Sequence, residues 1–216
     1  MEPRRHRTNV ALQQSLFEPR VSSIDRAFAG LQRIQLDETA WVDLARGWVA
    51  GADALFDEIV GTRGWKQRTR RIYEKRVVEP RLTAPWSLAS GAPLEPALVE
   101  EMRAALSQRY GIELDSVGFN YYRDGQDSVA WHRDRIRREV VNPIVALVSI
   151  GERRKFLMRP RGGGPSRPFL LGHGDLLVTG GTAQRTWEHT VPKVAQAGPR
   201  ISLAFRHGMH PRAYDD

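Results

Sequence analysis

Two spacings of apolar residues divide this chain of 216 residues. In its first half the apolar positions recur at helical spacing. Leu55, Phe56, Ile59 and Val60 form one stripe over residues 52–60, and Gly61 follows as a stop signal. Leu98, Met102, Ala105 and Leu106 form a second stripe over 95–110, with Pro96 suited to the first helical position and Gly111 to the end. Beyond residue 115 the period changes to two. Short runs separated by Gly- and Pro-rich turns predict strands at about 116–122, 143–150, 153–159, 167–171, 175–179, 185–191 and 200–207. Ile34 and Leu36 alternate with polar neighbours and predict one further short strand. Trp41 to Trp48 is mixed and predicts nothing distinct.

Several short strands in series predict a sandwich or barrel. Residues 1–36 read as an N-terminal arm. Pro19 and Ser22-Ser23 argue against a continuous helix there, and Leu12, Leu16 and Phe17 are its residues for docking on a core. Residues 37–115 hold the helices, and 116–210 form the β-rich core. Between strands, Arg161-Gly-Gly-Gly-Pro-Ser-Arg167 reads as a loop; as a phosphate cradle it is weak, because no helix follows it.

Composition narrows the chemistry. Hydrophobic content of 41% and charged content of 27% suit a globular protein with a proper core. There is no cysteine, which excludes disulfides and thiolate metal sites. No apolar run reaches the length that spans a bilayer, and Met1-Glu-Pro-Arg-Arg-His-Arg7 does not lead a signal peptide. The expected location is the cytoplasm, and the expected state a monomer. The net charge of +8 is unevenly spread. Between Thr62 and Leu82, eight lysines and arginines face two acids, Glu74 and Glu79, a local excess of six. Lys66, Arg68 and Arg70 alternate with Gln67, Thr69 and Arg71, as in an exposed edge strand or hairpin. Such a run is often only a solvated face. Here Trp65, Tyr73 and Trp86 are interleaved or adjacent, and aromatics stack on bases while cations such as Arg68 and Arg70 hold phosphates.

Candidate chemistry begins at His132-x-Asp134. Residues two apart on an extended strand leave the same face, so one imidazole and one carboxylate point at a common spot. Alone, such a pair is more often an ordinary hydrogen-bonded couple. Four histidines follow Asp134. His173 lies between two glycines, His207 would face the other side of the last strand, and His210 lies in the tail. His189 shares a strand face with Trp187 and leads into Arg200-Ile-Ser-Leu-Ala-Phe-Arg206. Two histidines and one carboxylate with open positions suit non-haem Fe(II). In the arginine strand Ile201, Leu203 and Phe205 form an apolar face, while Arg200, Ser202, Ala204 and Arg206 form the other. Guanidinium forks match carboxylates, and the small residues between them leave room for a ligand.

The segment resembles the AlkB family of Fe(II)/2-oxoglutarate-dependent dioxygenases. The matching pieces are Asn120-x-Tyr122-Arg-Asp-Gly125, His132-x-Asp134, Pro143 to Gly151, His173 to Val178, Trp187-x-His189 and Arg200-x5-Arg206, in the family's order. The resemblance implies an α+β, mainly β fold. Its core would be a double-stranded β-helix, or jelly roll, with N-terminal helices packed on one face and a basic nucleotide-recognition lid within 37–115. It implies Fe(II) held by His132, Asp134 and His189, with 2-oxoglutarate and O2 as co-substrates. Arg200 would bind the distal carboxylate of 2-oxoglutarate, Asn120 and Tyr122 would hydrogen-bond it, Ser202 would line its pocket and Arg206 would sit nearer the metal. Trp65 and Tyr73 fall at the family's base-stacking positions. Pro80 to Trp86 resembles the lid loop of the DNA-acting branch. The implied reaction is oxidative demethylation of N-alkylated bases in DNA, releasing succinate, CO2 and formaldehyde. The base would be flipped out or presented single-stranded.

The sequence departs from the family in two places. Arg135 stands where many members carry a second acid that contacts the substrate base, and Ser202 stands where many have Asn. Three alternatives stay open at this point. One is a dioxygenase of the same fold acting on RNA, a protein or a small molecule. Another is a degenerate module that binds alkylated DNA without turnover. The third is a zinc hydrolase with the same three ligands.

Overall fold

The computed structural model describes residues 21–72 and 75–209, with side chains throughout except at 70–72 and 75–77. Two short strands, β1 (Ser23–Ile24) and β2 (Gln32–Gln35), lead into β3 (Ala40–Ala45) and β4 (Val49–Ala50). Helix α1 (Ala52–Thr62) precedes a hairpin of β5 (Lys66–Ile72) and β6 (Lys75–Ser87). Helix α2 (Ala97–Tyr110) is followed by β7 (Ser116–Tyr122), β8 (Val129–His132), β9 (Val145–Gly151), β10 (Arg154–Pro160), β11 (Arg167–Leu171) and β12 (Asp175–Gly181). One helical turn, α3 (Ala183–Thr186), then leads into β13 (Trp187–Val191) and β14 (Arg200–Arg206).

Antiparallel ladders assemble these strands into an eight-stranded sheet, β2-β3-β12-β9-β14-β7-β6-β5, and a four-stranded sheet, β11-β10-β13-β8. The larger sheet is covered on both faces. On the outer face Leu55, Ile59, Met102 and Leu106 of the helices pack against Phe119, Val148, Ile150, Leu203 and Phe205. On the inner face Val145, Leu147, Leu177 and Ala204 meet Phe156, Met158, Trp187 and Val191 of the smaller sheet. This double coverage explains Val145-Ala-Leu-Val148, an unbroken apolar run whose alternate residues enter different cores. The two-layer arrangement is the jelly roll expected from the sequence, with α1 and α2 on one face.

The helix ends differ in detail from expectation. Gly111 closes α2 at φ +65, a conformation that favours glycine, as its position suggested. Gly61 does not stop α1, which runs on to Thr62 with the Thr62 hydroxyl donating to the Glu58 carbonyl at 2.7 Å. Pro96 caps α2 from outside rather than opening it. The second half of 1–36 holds two short strands, one of them at the alternation of Ile34 expected from the sequence. β1 pairs with β4 and β2 with β3, because the alternating Ile34 finds an antiparallel partner in Val42. Leu12, Leu16 and Phe17 lie outside the described residues. The basic window is the hairpin β5–β6 at the edge of the large sheet. No helix among the described residues is long and apolar enough to cross a membrane.

Candidate active site

β8 and β13 are neighbours in the smaller sheet, and their register sets His132 opposite His189. The two rings lie 4.3 Å apart, centroid to centroid. His132 Nδ1 is 2.8 Å from the Ala130 carbonyl. A carbonyl only accepts, so Nδ1 carries the proton and Nε2 keeps its lone pair. Asp134 lies two residues beyond the end of β8, so strand alternation alone does not fix it. Its amide donates to Gln184 Oε1 at 3.3 Å, and Arg206 Nε lies 3.0 Å from its Oδ1. Ligand atoms of His132, Asp134 and His189 all fall within 4.8 Å of one another.

The electrostatics prepare this trio for a cation. Burial disfavours charge on both rings, pushing His189 down to about 3 and lowering His132. Burial works the other way on Asp134, but Arg206, then His189 and His132, outweigh it and hold the carboxyl down at about 2. At neutral pH the set is two neutral imidazoles and one carboxylate, the protonation states that metal binding needs. Asp134 Oδ2 is buried and makes no hydrogen bond among the described residues. That orphaned oxygen, with the Nε2 lone pair, fits Fe(II) as the residues stand.

β14 supplies the two arginines from one face. Arg206 reaches Asp134, and it does so past Gly118 on β7. A Cβ at Gly118 would lie 2.7 Å from Arg206 Nη1, so the missing side chain makes the approach possible. Arg200 lies deeper and is 1% exposed. Its Nε donates to Ser149 Oγ at 2.9 Å, and its guanidinium sits 5.2 Å from the centre of the Tyr122 ring. Its Nη1 has no hydrogen-bond partner, no carboxylate pairs with it among the described residues, and burial lowers it to about 10. An isolated buried cation is costly, and an anionic ligand would offset that cost.

A cavity of about 440 Å3 opens over His132, Asp134 and Arg206. Asn120 lines it, with its Oδ1 accepting from Arg81 Nε at 3.1 Å and its Nδ2 donating to the Gly118 and Ser202 carbonyls. Arg200, Tyr122 and Ser202 share the inner face of the large sheet but do not line this cavity. Glu79, Arg81 and Thr83 of β6 form the opposite wall, and Arg68 enters it from the β-bulge in β5. Exposed Arg135 stands at the rim. Trp65 is elsewhere. Its ring lies 5.2 Å from Tyr121 and its Nε1 donates to the Val60 carbonyl at 3.2 Å. Tyr121 faces the helices, opposite to Asn120 and Tyr122, and Trp65 packs on that side, away from the cavity where a stacking role was expected. Tyr73 and the Arg70 side chain lie outside the described residues.

Sequence reasoning missed Gly118, Glu79, Ser149 and Gln184. Only Gly118 carried a signal, as a glycine inside a strand. Two of the other late histidines have structural partners: His173 Nδ1 accepts from Gly151 N at 2.8 Å, and His207 Nε2 accepts from Ile144 N at 3.0 Å; His210 lies outside the described residues.

A jelly roll whose facing strands bring two histidines, one aspartate and two inward arginines together has the architecture of an Fe(II)/2-oxoglutarate oxygenase. Residues 53–206 match the 2OG-Fe(II) oxygenase superfamily. Human alpha-ketoglutarate-dependent dioxygenase alkB homolog 3 is 33% identical over 213 residues, 88% of this chain and 73% of that protein. The Arabidopsis thaliana DNA oxidative demethylase ALKBH2 is 30% identical over 191 residues, 70% of this chain and 60% of that protein. The solved structure of OsALKBH1 superimposes with a TM-score of 0.57 at 14% identity, covering 83% of this chain and all of that one, which bears on the fold alone. The chain belongs to the AlkB-like family of 2OG-Fe(II) oxygenases. It is a dioxygenase whose cofactor is Fe(II) and whose co-substrates are 2-oxoglutarate and O2.

Proposed function

We propose that the chain oxidatively demethylates N-alkylated bases in DNA, as a cytoplasmic monomer. Residues 116–210 carry the chemistry and 37–115 the recognition of the substrate. One observation carries the reading. His132 and Asp134, with His189 buried beside them, line a cavity whose other wall is the basic hairpin. A polyanion reaching that hairpin has a base within reach of the trio. The name of the Arabidopsis relative, a DNA oxidative demethylase, supports the choice of DNA.

His132 Nε2, His189 and Asp134 would hold Fe(II), with Arg206 fixing the carboxylate and Ala130 fixing the tautomer of His132. Bound Fe(II), with 2-oxoglutarate and O2, supplies the oxidant that hydroxylates an N-methyl group. Arg200 would bind the distal carboxylate of 2-oxoglutarate, with Ser149 orienting its guanidinium and Tyr122 against its face. Asn120 and Ser202 would border the co-substrate. The hydroxymethyl adduct on nitrogen then loses formaldehyde and leaves N–H. Each turnover consumes one O2 and one 2-oxoglutarate and releases succinate, CO2 and formaldehyde. Arg68 and Arg135 at the cavity mouth, with Arg70, would contact the phosphates. A base stacked in a duplex does not reach the trio, so the substrate is a single strand or a flipped nucleotide.

The test is turnover followed by mass spectrometry on single-stranded oligonucleotides carrying 1-methyladenine or 3-methylcytosine, with Fe(II), ascorbate and 2-oxoglutarate. The methyl group is lost only with 2-oxoglutarate, and Asp134→Ala abolishes the reaction. Succinate formed without methyl loss from DNA, but with loss from the same lesions in RNA, would overturn the assignment to DNA.

A further inference from the structure

A second cavity, of about 760 Å3, adjoins the first at two of the ligands. His132, Arg133, Asp134 and Arg135 line both cavities. The wall of the second is cationic: Arg133, Arg135, Arg138, Arg161 and Arg185 against two acids, Asp134 and Glu188. Both acids are already matched. Arg206 pairs with Asp134, and Arg159 Nε lies 2.5 Å from Glu188. The guanidinium of Arg185 donates to the carbonyls of Ile136, Arg137 and Val140, and that of Arg133 to the carbonyl of Arg185. Carbonyls satisfy donors without cancelling charge. Among the described residues no carboxylate forms an ion pair with Arg133, Arg138, Arg161 or Arg185. Uncompensated positive charge therefore gathers in a concavity beside the metal ligands. None of these five arginines belongs to the basic window of the sequence, residues 62–82.

We propose that this cavity seats backbone phosphates of a single-stranded DNA substrate, next to the nucleotide that enters the catalytic cavity. The inference rests on the nucleic-acid reading above. Concave walls lined by one sign of charge focus the field and concentrate polyanions. Arginine forks match phosphate oxygens. The Arg161 loop, a poor backbone cradle for want of a following helix, contributes its side chain instead. The strand then crosses the ligand trio between two cationic surfaces, the hairpin on one side and this cavity on the other.

The experiment reads the salt dependence of binding to a labelled, unmodified single-stranded DNA oligonucleotide by fluorescence anisotropy. Three proteins are compared: wild type, Arg138→Glu/Arg161→Glu, and a charge-matched control, Arg153→Glu/Lys155→Glu. The control residues lie at the opposite end of β10, roughly 20 Å away at about 3.3 Å per residue. Loss of two phosphate contacts lowers the slope of log K against log salt by about 1.4 and the affinity about tenfold, measured between about 50 and 200 mM. The control keeps the wild-type slope. Equal losses in both variants would overturn the proposal in favour of a net-charge effect, and wild-type binding by Arg138→Glu/Arg161→Glu would overturn it outright. Binding of RNA but not DNA by the wild type overturns the choice of strand, and binding of neither overturns the nucleic-acid reading itself. Should the glutamates unfold the protein, Arg138→Gln/Arg161→Gln removes the charges with a smaller perturbation, and the same slopes decide.

Discussion

The inner face of β14 and the hairpin β5–β6 belong to one sheet, yet they hold their cations in opposite ways. β14 is paired on both sides, with β7 and with β9, and its residues from Arg200 to Phe205 are buried. Its arginines have fixed neighbours: Ser149 and Tyr122 for Arg200, Asp134 for Arg206. β5 has one neighbour and ends the sheet, and Lys66 on it is exposed. Arg200 and Arg206, proposed to meet a small dicarboxylate and the metal site, stand on a doubly paired strand, where packing over-determines them, whereas His132 stands on β8 at the edge of the smaller sheet. The cations proposed to meet a long, variable polyanion stand on an edge, where charge matters more than geometry.

That contrast predicts unequal consequences. The largest is at the interior. Replacing Arg200 with Met removes the proposed counter-charge for 2-oxoglutarate and should raise its KM roughly 30-fold or more, in line with a loss of about 2 kcal/mol or more for a buried charge pair. The same change removes an isolated buried cation, so the Tm of the protein without 2-oxoglutarate should stay level or rise. A lowered Tm with an unchanged KM would make Arg200 a structural residue. Next comes Gly118→Ala, whose added Cβ would lie 2.7 Å from Arg206 Nη1 and crowd the guanidinium that pairs with Asp134. Displacing a group that orients a ligand costs about 10- to 100-fold in metal affinity or activity, so kcat should fall by that much with little change in the KM for DNA. Trp65→Ala sharpens the contrast from the outside. It should cost about 2 kcal/mol in stability, less than a fully buried aromatic, and leave turnover per folded molecule unchanged. Thermal unfolding and activity at matched folded fraction check both halves.

How much was legible follows from the same division. The β14 face was readable because a strand alternates with period two and Arg-Ile-Ser-Leu-Ala-Phe-Arg alternates without a break. His132 and Asp134 were readable as a pair, but not for the reason first given. β8 ends at His132, and Asp134 is set by Gln184 and Arg206, which no local pattern announces. Val145 to Ile150 hid its alternation because both faces of β9 are buried. Trp65 misled because aromatics beside cations suggest stacking, whereas its ring fills the helix side of the sheet against Tyr121. Glu79 was invisible as a site residue, and Arg81 was legible only as part of the lid-like run Pro80 to Trp86. Only the pairing of β6 with β7 carries them over the ligands, and the sequence holds no record of that register.

The division between interior chemistry and edge recognition is tested most directly by the charge reversal Lys66→Glu/Arg68→Glu. Succinate and formaldehyde are counted in the same reaction on single-stranded DNA carrying 3-methylcytosine. Succinate formation should persist while formaldehyde per succinate falls, and DNA affinity should drop about tenfold with a salt slope lower by about 0.7 per lost contact. Loss of succinate and formaldehyde in equal proportion, or full demethylation by the variant, would contradict the account.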